Sequence, residues 1–287
     1  MWPVILAMSA QDASTVVLRV GYRPGSRTWR GRGVDTLWRT VRAANPSVRV
    51  VYYWIGSDVY RTLKDAGAGH TTGALAEAAK HDCHIAGAPW LVEELETVGI
   101  QARYIPHPAR LPTVDPAPSL PIRFSVLAYI PAGRFDFYGG RELLEAASCM
   151  PTVTFRVMGS AAPSGAVSPP NVVWLGWRPD AIDPLVASSV YVRPILHDGL
   201  SITVREALSL GRHVVYTYPI PHVHLVPYGD APKLVDALQQ LQADSESDHL
   251  PLNAPGRRWV IDEFDPGRNS RTLAAALVEA GETRPGS

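Results

Sequence analysis

Residues 191–215 read YVRPILHDGLSITVREALSLGRHVV, and this stretch decides the fold that we predict. Its pattern predicts a strand ending at Arg193-Pro194, a polar turn from His197 to Ser201, and a helix that Gly211 ends before the next strand. A strand, a turn and a helix in this order are typical of an α/β sheet with parallel strands. Ligands of such sheets bind beyond the carboxyl ends of the strands, where this turn is expected.

The turn has the character of an anion-binding site. The first N–H groups of a helix lack partners within it and carry partial positive charge, so Gly199, Leu200 and Ser201 are candidates to hold a diphosphate. Gly199 would also let the backbone approach a ligand closely. Asp198 and Glu206, eight residues apart, each carry a carboxylate that can accept hydrogen bonds from two neighbouring hydroxyls.

Each of these features also has a purely structural interpretation. Asp198-Gly199 is ordinary turn chemistry, and Thr203 with Glu206 matches a T-x-x-E capping box. His197 either hydrogen-bonds a sugar hydroxyl or a phosphate, or merely fills the turn. The residues of the turn leave both interpretations open.

Strands and helices alternate along the whole chain. The predicted strands cover residues 16–21, 47–54, 83–86, 102–105, 123–129, 152–158, 172–175, 190–192 and 214–216, and the predicted helices cover residues 34–44, 90–98, 140–147, 203–210, 231–241 and 269–279. This alternation predicts parallel sheets with helices on both faces.

The proline-rich stretch 106–121 is the best candidate for a linker, because proline removes backbone donors and resists both helix and central strand. We therefore expect a first domain over residues 1–115 and a second over residues 116–262. Residues 263–287 are expected to form a C-terminal helix, for which packing back on the first domain is one arrangement.

The composition excludes several classes of protein. Lys plus Arg and Asp plus Glu number 27 each, so the chain lacks the basic excess of a general nucleic-acid binder. The two cysteines, Cys83 and Cys149, form neither a C-x-x-C pair nor a disulfide framework, which favours a cytoplasmic location. The apolar residues 1–8 are too few to span a bilayer, so any membrane contact is expected to be peripheral.

Metal ligands are the other chemistry that the residue types suggest. His81, Cys83 and His84 lie close together in sequence, but no second half-site with zinc spacing accompanies them. A packed strand end is the better interpretation, and we predict no bound metal.

Residues 191–215 resemble the donor-binding signature of the family-4 retaining glycosyltransferases, which have the GT-B fold. That signature has an acidic residue followed by Gly, a Glu eight residues after the acid, and a helix ending near Gly-x-Pro-Val-Val. Here Asp198 stands in place of the usual Glu, and His213 replaces the Pro. The resemblance implies that Asp198 holds the transferred sugar and that Glu206 holds the ribose hydroxyls.

Residues 129–146, YIPAGRFDFYGGRELLEA, are similar to the Gly-Arg loop of the same family. The resemblance implies that Gly133 and Arg134 hold the donor diphosphate. The family's Lys is missing, and Tyr138 stands where it would be expected. Arg141 is a candidate to supply the lost positive charge. The likeness extends over most of residues 122–243.

The first half of the chain matches the family more loosely. YWIGSD, residues 53–58, looks like the family's His-x-x-Gly-x-Asp segment, which would place Trp54 and Asp58 on the acceptor side of the cleft. The loop over residues 21–33 would add Gly25 and Arg27 there, although a solvated surface turn is the alternative. This domain has room for about four strands, fewer than is typical of the family.

The resemblance implies an α/β fold with two Rossmann-like domains whose parallel sheets face a cleft, the first domain being reduced. The implied activity is transfer of a sugar from a nucleotide-diphosphate sugar to an acceptor hydroxyl with retention of configuration, as in glycoconjugate biosynthesis. Asp198, Arg134 and His197 are then the catalytic candidates, with no permanently bound cofactor. A glycosyltransferase-like binding or partner protein, or another GT-B enzyme such as a nucleotide-sugar epimerase, is the alternative.

Overall fold

The computed structural model of the chain describes residues 7–8, 16–20, 36–37, 39–41, 43–46, 48–67, 83–163, 167–247 and 250–282. These residues belong to two compact units. The first comprises Met1–Ala109, His197–Leu200 and Phe264–Ser287, and the second comprises Arg110–Leu196 and Ser201–Glu263.

Strands and helices alternate through both units. The strands are β1 (Ala7–Met8), β2 (Val16–Val20), β3 (Arg49–Trp54), β4 (Cys83–Ala86), β5 (Arg103–Tyr104), β6 (Ser125–Tyr129), β7 (Thr154–Met158), β8 (Val172–Gly176), β9 (Val190–Arg193), β10 (His213–Tyr216) and β11 (His224–Leu225). The helices are α1 (Ser57–Gly67), α2 (Pro89–Glu96), α3 (Gly140–Cys149), α4 (Ile182–Val186), α5 (Ile202–Ser209), α6 (Ala231–Glu246), α7 (Ala254–Glu263) and α8 (Pro266–Glu282). Residues 36–37, 39–41 and 43–44 are also helical.

The first unit contains a sheet in the order β1-β2-β3-β4-β5. All neighbouring strands are parallel except β1, which pairs antiparallel with β2. Strand β3 is central and almost entirely buried, as expected of a parallel strand covered on both faces. The C-terminal helix α8 contributes Ala276, Leu277 and Ala280 to the core around this sheet.

The second unit contains six parallel strands in the order β11-β10-β9-β6-β7-β8. If β6 is numbered 1 and the later strands follow in chain order, the sheet read from the β8 edge has the strand order 3-2-1-4-5-6. This is the order of a Rossmann sheet. The strand order reverses between β6 and β9, so the loops that follow these two strands flank the crevice where such sheets bind ligands. Helices α3 and α6 lie together and bury Leu143, Leu234 and Leu238 in the core of this unit.

All of the predicted strands and helices are present where the structure describes the chain, with bounds that differ by a few residues. The short strands β1 and β11 and the helices α1, α4 and α7 were not predicted. Helix α4 has only five residues, and the two strands have only two residues each, so their patterns are too short to identify. Among the described helices, none has both the length and the apolar character that crossing a bilayer requires.

The proline-rich stretch divides between the units after Ala109. Its second part belongs to the second unit, where Arg212 is completely buried and donates hydrogen bonds to the carbonyl oxygens of Ser119, at 3.0 Å, and Pro118. Arg257 likewise donates to the carbonyl oxygen of Val114 at 2.8 Å. These contacts fix residues 114–119 on the second unit, and burial of Arg212 lowers the pKa of its guanidinium.

Replacing Arg212 should therefore destabilise the second unit. We expect Arg212→Met to lower the free energy of unfolding by about 2 kcal/mol, because two carbonyl oxygens lose a charged donor while the aliphatic volume is kept. Urea unfolding followed by circular dichroism measures the change. Arg258→Met, at an exposed position of α7, is the matched control and should change the free energy by less than about 0.5 kcal/mol. Equal effects of the two substitutions would contradict the role of Arg212.

Candidate functional site

The loop after β6 forms one side of the crevice in the second unit. Gly133 lies in this loop with φ of +71°, and no atom lies near the position of a side chain there. The guanidinium carbon of Arg134 lies 4.9 Å from the centre of the Phe137 ring, which orients the arginine by a cation–π contact. The loop therefore presents open backbone and a positioned cation at the carboxyl edge of the sheet.

Gly139, at the start of α3, joins this loop to the end of β9. Its φ is +64°, and a β-carbon there would lie 2.6 Å from Cγ of Pro194. The N–H of Leu196 donates to the carbonyl oxygen of Phe137 at 3.0 Å, which fixes the same two segments together. The two loops that flank the crevice are thus held against each other by backbone contacts that a side chain would prevent.

Tyr138 occupies the place where the family's lysine was expected. Its ring packs edge-on to Tyr129, with ring centroids 5.8 Å apart, and the guanidinium carbon of Arg193 lies 5.1 Å from its centroid. Arg193 is only 7% exposed, so it places a buried positive charge at the carboxyl end of β9. Burial raises the pKa of Tyr129, Tyr138 adds to this rise, and the charge of Arg193 opposes it.

Arg193 was missed by the sequence analysis, although a signal was available. It is the last residue of a strand whose other members are apolar, and all four residues of β9 are buried. A charged residue that ends a buried strand beside a ligand crevice is a candidate for binding.

Arg141 was the predicted substitute for the missing lysine, but the structure places it elsewhere. It forms an ion pair with Asp136, Nε to Oδ1 at 2.7 Å, and both side chains are largely exposed. Because the partner carboxylate neutralises its charge on the surface, Arg141 is better described as part of an exposed ion pair. Arg193 is the buried cation of this edge.

Helix α5 begins at Ile202, and Ser201 is its N-cap residue. The Ser201 side chain accepts no hydrogen bond from the helix N-terminus in the described structure. Thr203 lies inside the helix, so the T-x-x-E capping-box interpretation is wrong. The first N–H groups of α5 therefore lack the side-chain cap that the sequence suggested.

Glu206 lies on α5 and is partly buried. Burial raises the pKa of its carboxyl, the charge of Arg205 opposes that rise, and Asp180 adds to it. Within the described part of the chain, no group donates a hydrogen bond to the Glu206 carboxylate. A desolvated carboxylate without donors is a natural partner for ligand hydroxyls.

The acidic turn His197–Leu200 belongs to the first unit. Asp198 is 8% exposed; its Oδ1 accepts a hydrogen bond from the Gly199 N–H at 3.0 Å. The indole N–H of Trp90 donates to the carbonyl oxygen of Asp198 at 2.7 Å. His197 donates from Nε2 to Oε2 of Glu94 at 2.8 Å, so the structure favours the interpretation that His197 fills the turn.

Gly199 has a different reason to be glycine than the one predicted. A β-carbon there would meet the carbonyl group of Ile55 and would lie 2.8 Å from the Gly56 nitrogen. This contact between backbones by itself requires glycine at position 199. Leu200, the next residue, has φ of +66°, which is an unfavourable conformation for a leucine and is held by its burial.

The predicted acceptor-side residues are buried wherever they are described. Trp54 is 0% exposed, and its indole nitrogen bonds to Nδ1 of His84 at 3.2 Å. Asp58 is 2% exposed and accepts hydrogen bonds from the N–H groups of Ile55, Gly56 and Val59. Burial raises the pKa of Asp58, and these N–H groups partly offset that rise. Asp58 stabilises the turn after β3, and Trp54 links β3 to β4, so the polar side-chain atoms of both residues have protein partners.

Several predictions fall on residues that the structure does not describe. These are Gly25, Arg27 and the rest of the loop over residues 21–33, together with His81. Among the described residues, no group of three His, Cys, Asp or Glu side chains could hold a metal ion.

The contact at Gly139 gives a direct test of how the crevice is built. We expect Gly133→Ala to lower the free energy of unfolding by about 1–2 kcal/mol, the cost of a left-handed conformation. Gly139→Ala should cost about 1–3 kcal/mol more, because the added carbon also overlaps Pro194. Urea titrations of both variants measure the difference, and equal losses would show that the approach of Pro194 is not a constraint.

The raised pKa of Glu206 predicts a pH-dependent stability. Below the unfolded pKa the carboxyl is mostly protonated in both states. As pH rises from there toward the higher folded pKa, the unfolded state ionises first, so this group increasingly destabilises the fold. Glu206→Gln, which cannot ionise, should therefore raise the melting temperature more at pH 7 than at pH 4. Glu145→Gln, at an exposed position of α3, is the control. A gain that is the same at both pH values would contradict the desolvation of Glu206.

Residues 132–244 match the family model of glycosyl transferases group 1. This interval contains the Gly133-Arg134 loop, the acidic turn and Glu206. No curated protein matches the sequence at a significant level.

Three solved structures illustrate the similarity in fold. HepE of Anabaena, in complex with UDP-glucose, is 14% identical with a TM-score of 0.69; the match covers 91% of this chain and 78% of HepE. Sucrose-phosphate synthase from Thermosynechococcus elongatus is 20% identical with a TM-score of 0.60, covering 91% and 74%. TarM of S. aureus is 11% identical with a TM-score of 0.64, covering 91% of this chain and 54% of TarM.

These likenesses show the fold. The chain has an α/β fold of the GT-B type, with one mostly parallel sheet and one fully parallel sheet, and its first unit is reduced. The chain spans about half the length of TarM, covering 54% of it.

Proposed function

We propose that this chain is a glycosyltransferase that moves a sugar from a nucleotide-sugar donor to an acceptor hydroxyl with retention of configuration. The observation that carries the proposal is the state of Glu206, whose partly buried carboxylate has no donor within the described structure. Glu206 lies in the interval that matches glycosyl transferases group 1, on the helix that follows β9 at the strand-order reversal. A carboxylate in this place is suited to the hydroxyls of a nucleotide ribose.

The positive groups of the second unit fit the phosphates of such a donor. Arg134 would stabilise the leaving diphosphate as negative charge develops on it, and the uncapped N–H groups of α5 would bind the same anion. Arg193 adds a buried positive charge at the end of β9. This charge would raise the local positive potential that the missing lysine otherwise supplies.

The acidic turn supplies the group assigned to the transferred sugar. Asp198 would accept hydrogen bonds from sugar hydroxyls, and the donor phosphate itself would take the proton from the acceptor. No side chain is then required as a general base, and no bound metal is needed. His197 is left out of the catalytic residues, because it is buried and its ring already bonds to Glu94.

UDP-sugars are the first donors to test. HepE, which has the same fold, is recorded in complexes with UDP-glucose and with UDP and glucose. The acceptor is not indicated by the described residues of the first unit, since Trp54 and Asp58 are both buried.

One alternative has a specific observation in its favour. A glycosyltransferase-like binding or partner protein would tolerate the replacement of the lysine by Tyr138 and the exposed pairing of Arg141 with Asp136. Such a protein would bind a nucleotide sugar without turning it over. Measurement of product formation after a donor has been identified separates this alternative from the enzyme.

Titration with a panel of UDP-, GDP-, ADP- and dTDP-sugars tests the donor site. Because a ligand that binds only the folded state stabilises it, the true donor at about 100 times its Kd should raise the melting temperature by about 5 °C or more. The shift should be lost in Glu206→Ala and kept in Glu145→Ala, which removes an exposed carboxylate from α3. A well-folded wild-type protein that responds to none of these donors would contradict the proposal.

A further inference from the structure

The acidic turn His197–Leu200 is held by three contacts within the first unit. Trp90 and Glu94 both lie on α2, and they bind the Asp198 carbonyl oxygen at 2.7 Å and the His197 ring at 2.8 Å. The third contact is the backbone approach between Gly199 and Gly56, in which neither residue can carry a β-carbon without overlap. These three contacts come from one helix and from the segment that follows β3.

These contacts leave little freedom to the turn. The ring of Tyr60, on α1, lies 5.3 Å from the ring of His197, and both His197 and Asp198 are less than 10% exposed. A helix and a strand end that are both rooted in a packed sheet are rigid supports. The backbone position of Asp198 is therefore set in part by Trp90, which lies 108 residues earlier in the sequence.

We propose that Glu94 and Trp90 are positioning residues for the donor site: they fix the Asp198-Gly199 turn so that its carboxylate can hold the transferred sugar. The inference rests on the proposed function. It predicts that substitutions on α2 change the affinity for the sugar part of the donor and leave the affinity for the nucleotide part unchanged.

The test compares two ligands, a UDP-sugar identified by the donor panel and UDP alone, by calorimetric titration. Glu94→Ala removes the acceptor for His197 from a helix position where alanine is well tolerated. We expect it to weaken binding of the UDP-sugar about tenfold while the Kd for UDP changes less than twofold. Glu206→Ala should weaken both ligands.

Matched variants separate positioning from general damage. Glu94→Gln keeps an oxygen that can accept from Nε2 of His197, so it should restore most of the affinity for the UDP-sugar. Glu93→Ala removes an exposed carboxylate from the neighbouring position and should leave both affinities unchanged. Trp90→Phe keeps an aromatic ring but removes the indole donor, and it should reproduce the selective loss even if Glu94→Ala folds poorly.

The outcomes are distinguishable. If wild type binds both ligands but Glu94→Ala and Trp90→Phe weaken both equally, or neither, the positioning role is overturned while the proposed function stands. If wild type binds neither ligand nor any other donor of the panel, the proposed function fails, and this inference fails with it. A selective loss for the UDP-sugar that Glu94→Gln restores supports the role.

Discussion

The candidate site depends on two places where one backbone segment approaches another more closely than any side chain would allow. In the second unit, Gly139 lets Pro194 lie against the start of α3 and joins the loops that follow β6 and β9. In the first unit, Gly199 lies against Ile55 and Gly56. A contact between main chains leaves no rotamer to adjust, so the loops that carry Arg134 and Asp198 have fixed positions within their own units.

The charges of the second unit are arranged by this framework. Arg193 ends the buried strand β9 and lies over the ring of Tyr138, which occupies the place where the family's lysine was expected. Its side chain is therefore a cation in a largely desolvated place, where interactions with an anion are stronger than in water. Arg141, by contrast, pairs with Asp136 in solvent, where a single ion pair contributes little. The two arginines therefore differ in burial: Arg193 is buried, whereas Arg141 is exposed.

Much of the fold could be predicted from sequence because its strands are short runs of β-branched and aromatic residues between helices with apolar spacing. Strand β3 is the clearest example, since the run that predicted it is buried on both faces. Local patterns could not show which main-chain atoms meet. Gly199 was predicted to allow the close approach of a ligand, but the sequence could not show that the carbonyl of Ile55 also requires glycine there. Asp58 was read as part of a cleft, whereas N–H groups of its own turn surround it.

The hydrogen-bond partners of a buried carboxylate also bear on whether the chain binds a ligand. Asp58 and Glu206 are both carboxylates whose pKa is raised by burial, but several N–H groups donate to Asp58. The fold accounts for Asp58, because these hydrogen bonds satisfy its carboxylate and partly offset its desolvation. Within the described structure no group donates a hydrogen bond to the Glu206 carboxylate. The charge of Arg205 opposes the effect of burial, but the pKa of Glu206 remains raised, so ionisation of this group destabilises the folded state. A glutamine of the same shape would give a higher free energy of unfolding at neutral pH. Residues that reduce stability in this way are typical of functional sites. The hydroxyls of a bound donor would supply the hydrogen bonds that Glu206 lacks, which is why this one residue favours a ligand-binding chain over one that keeps only the fold.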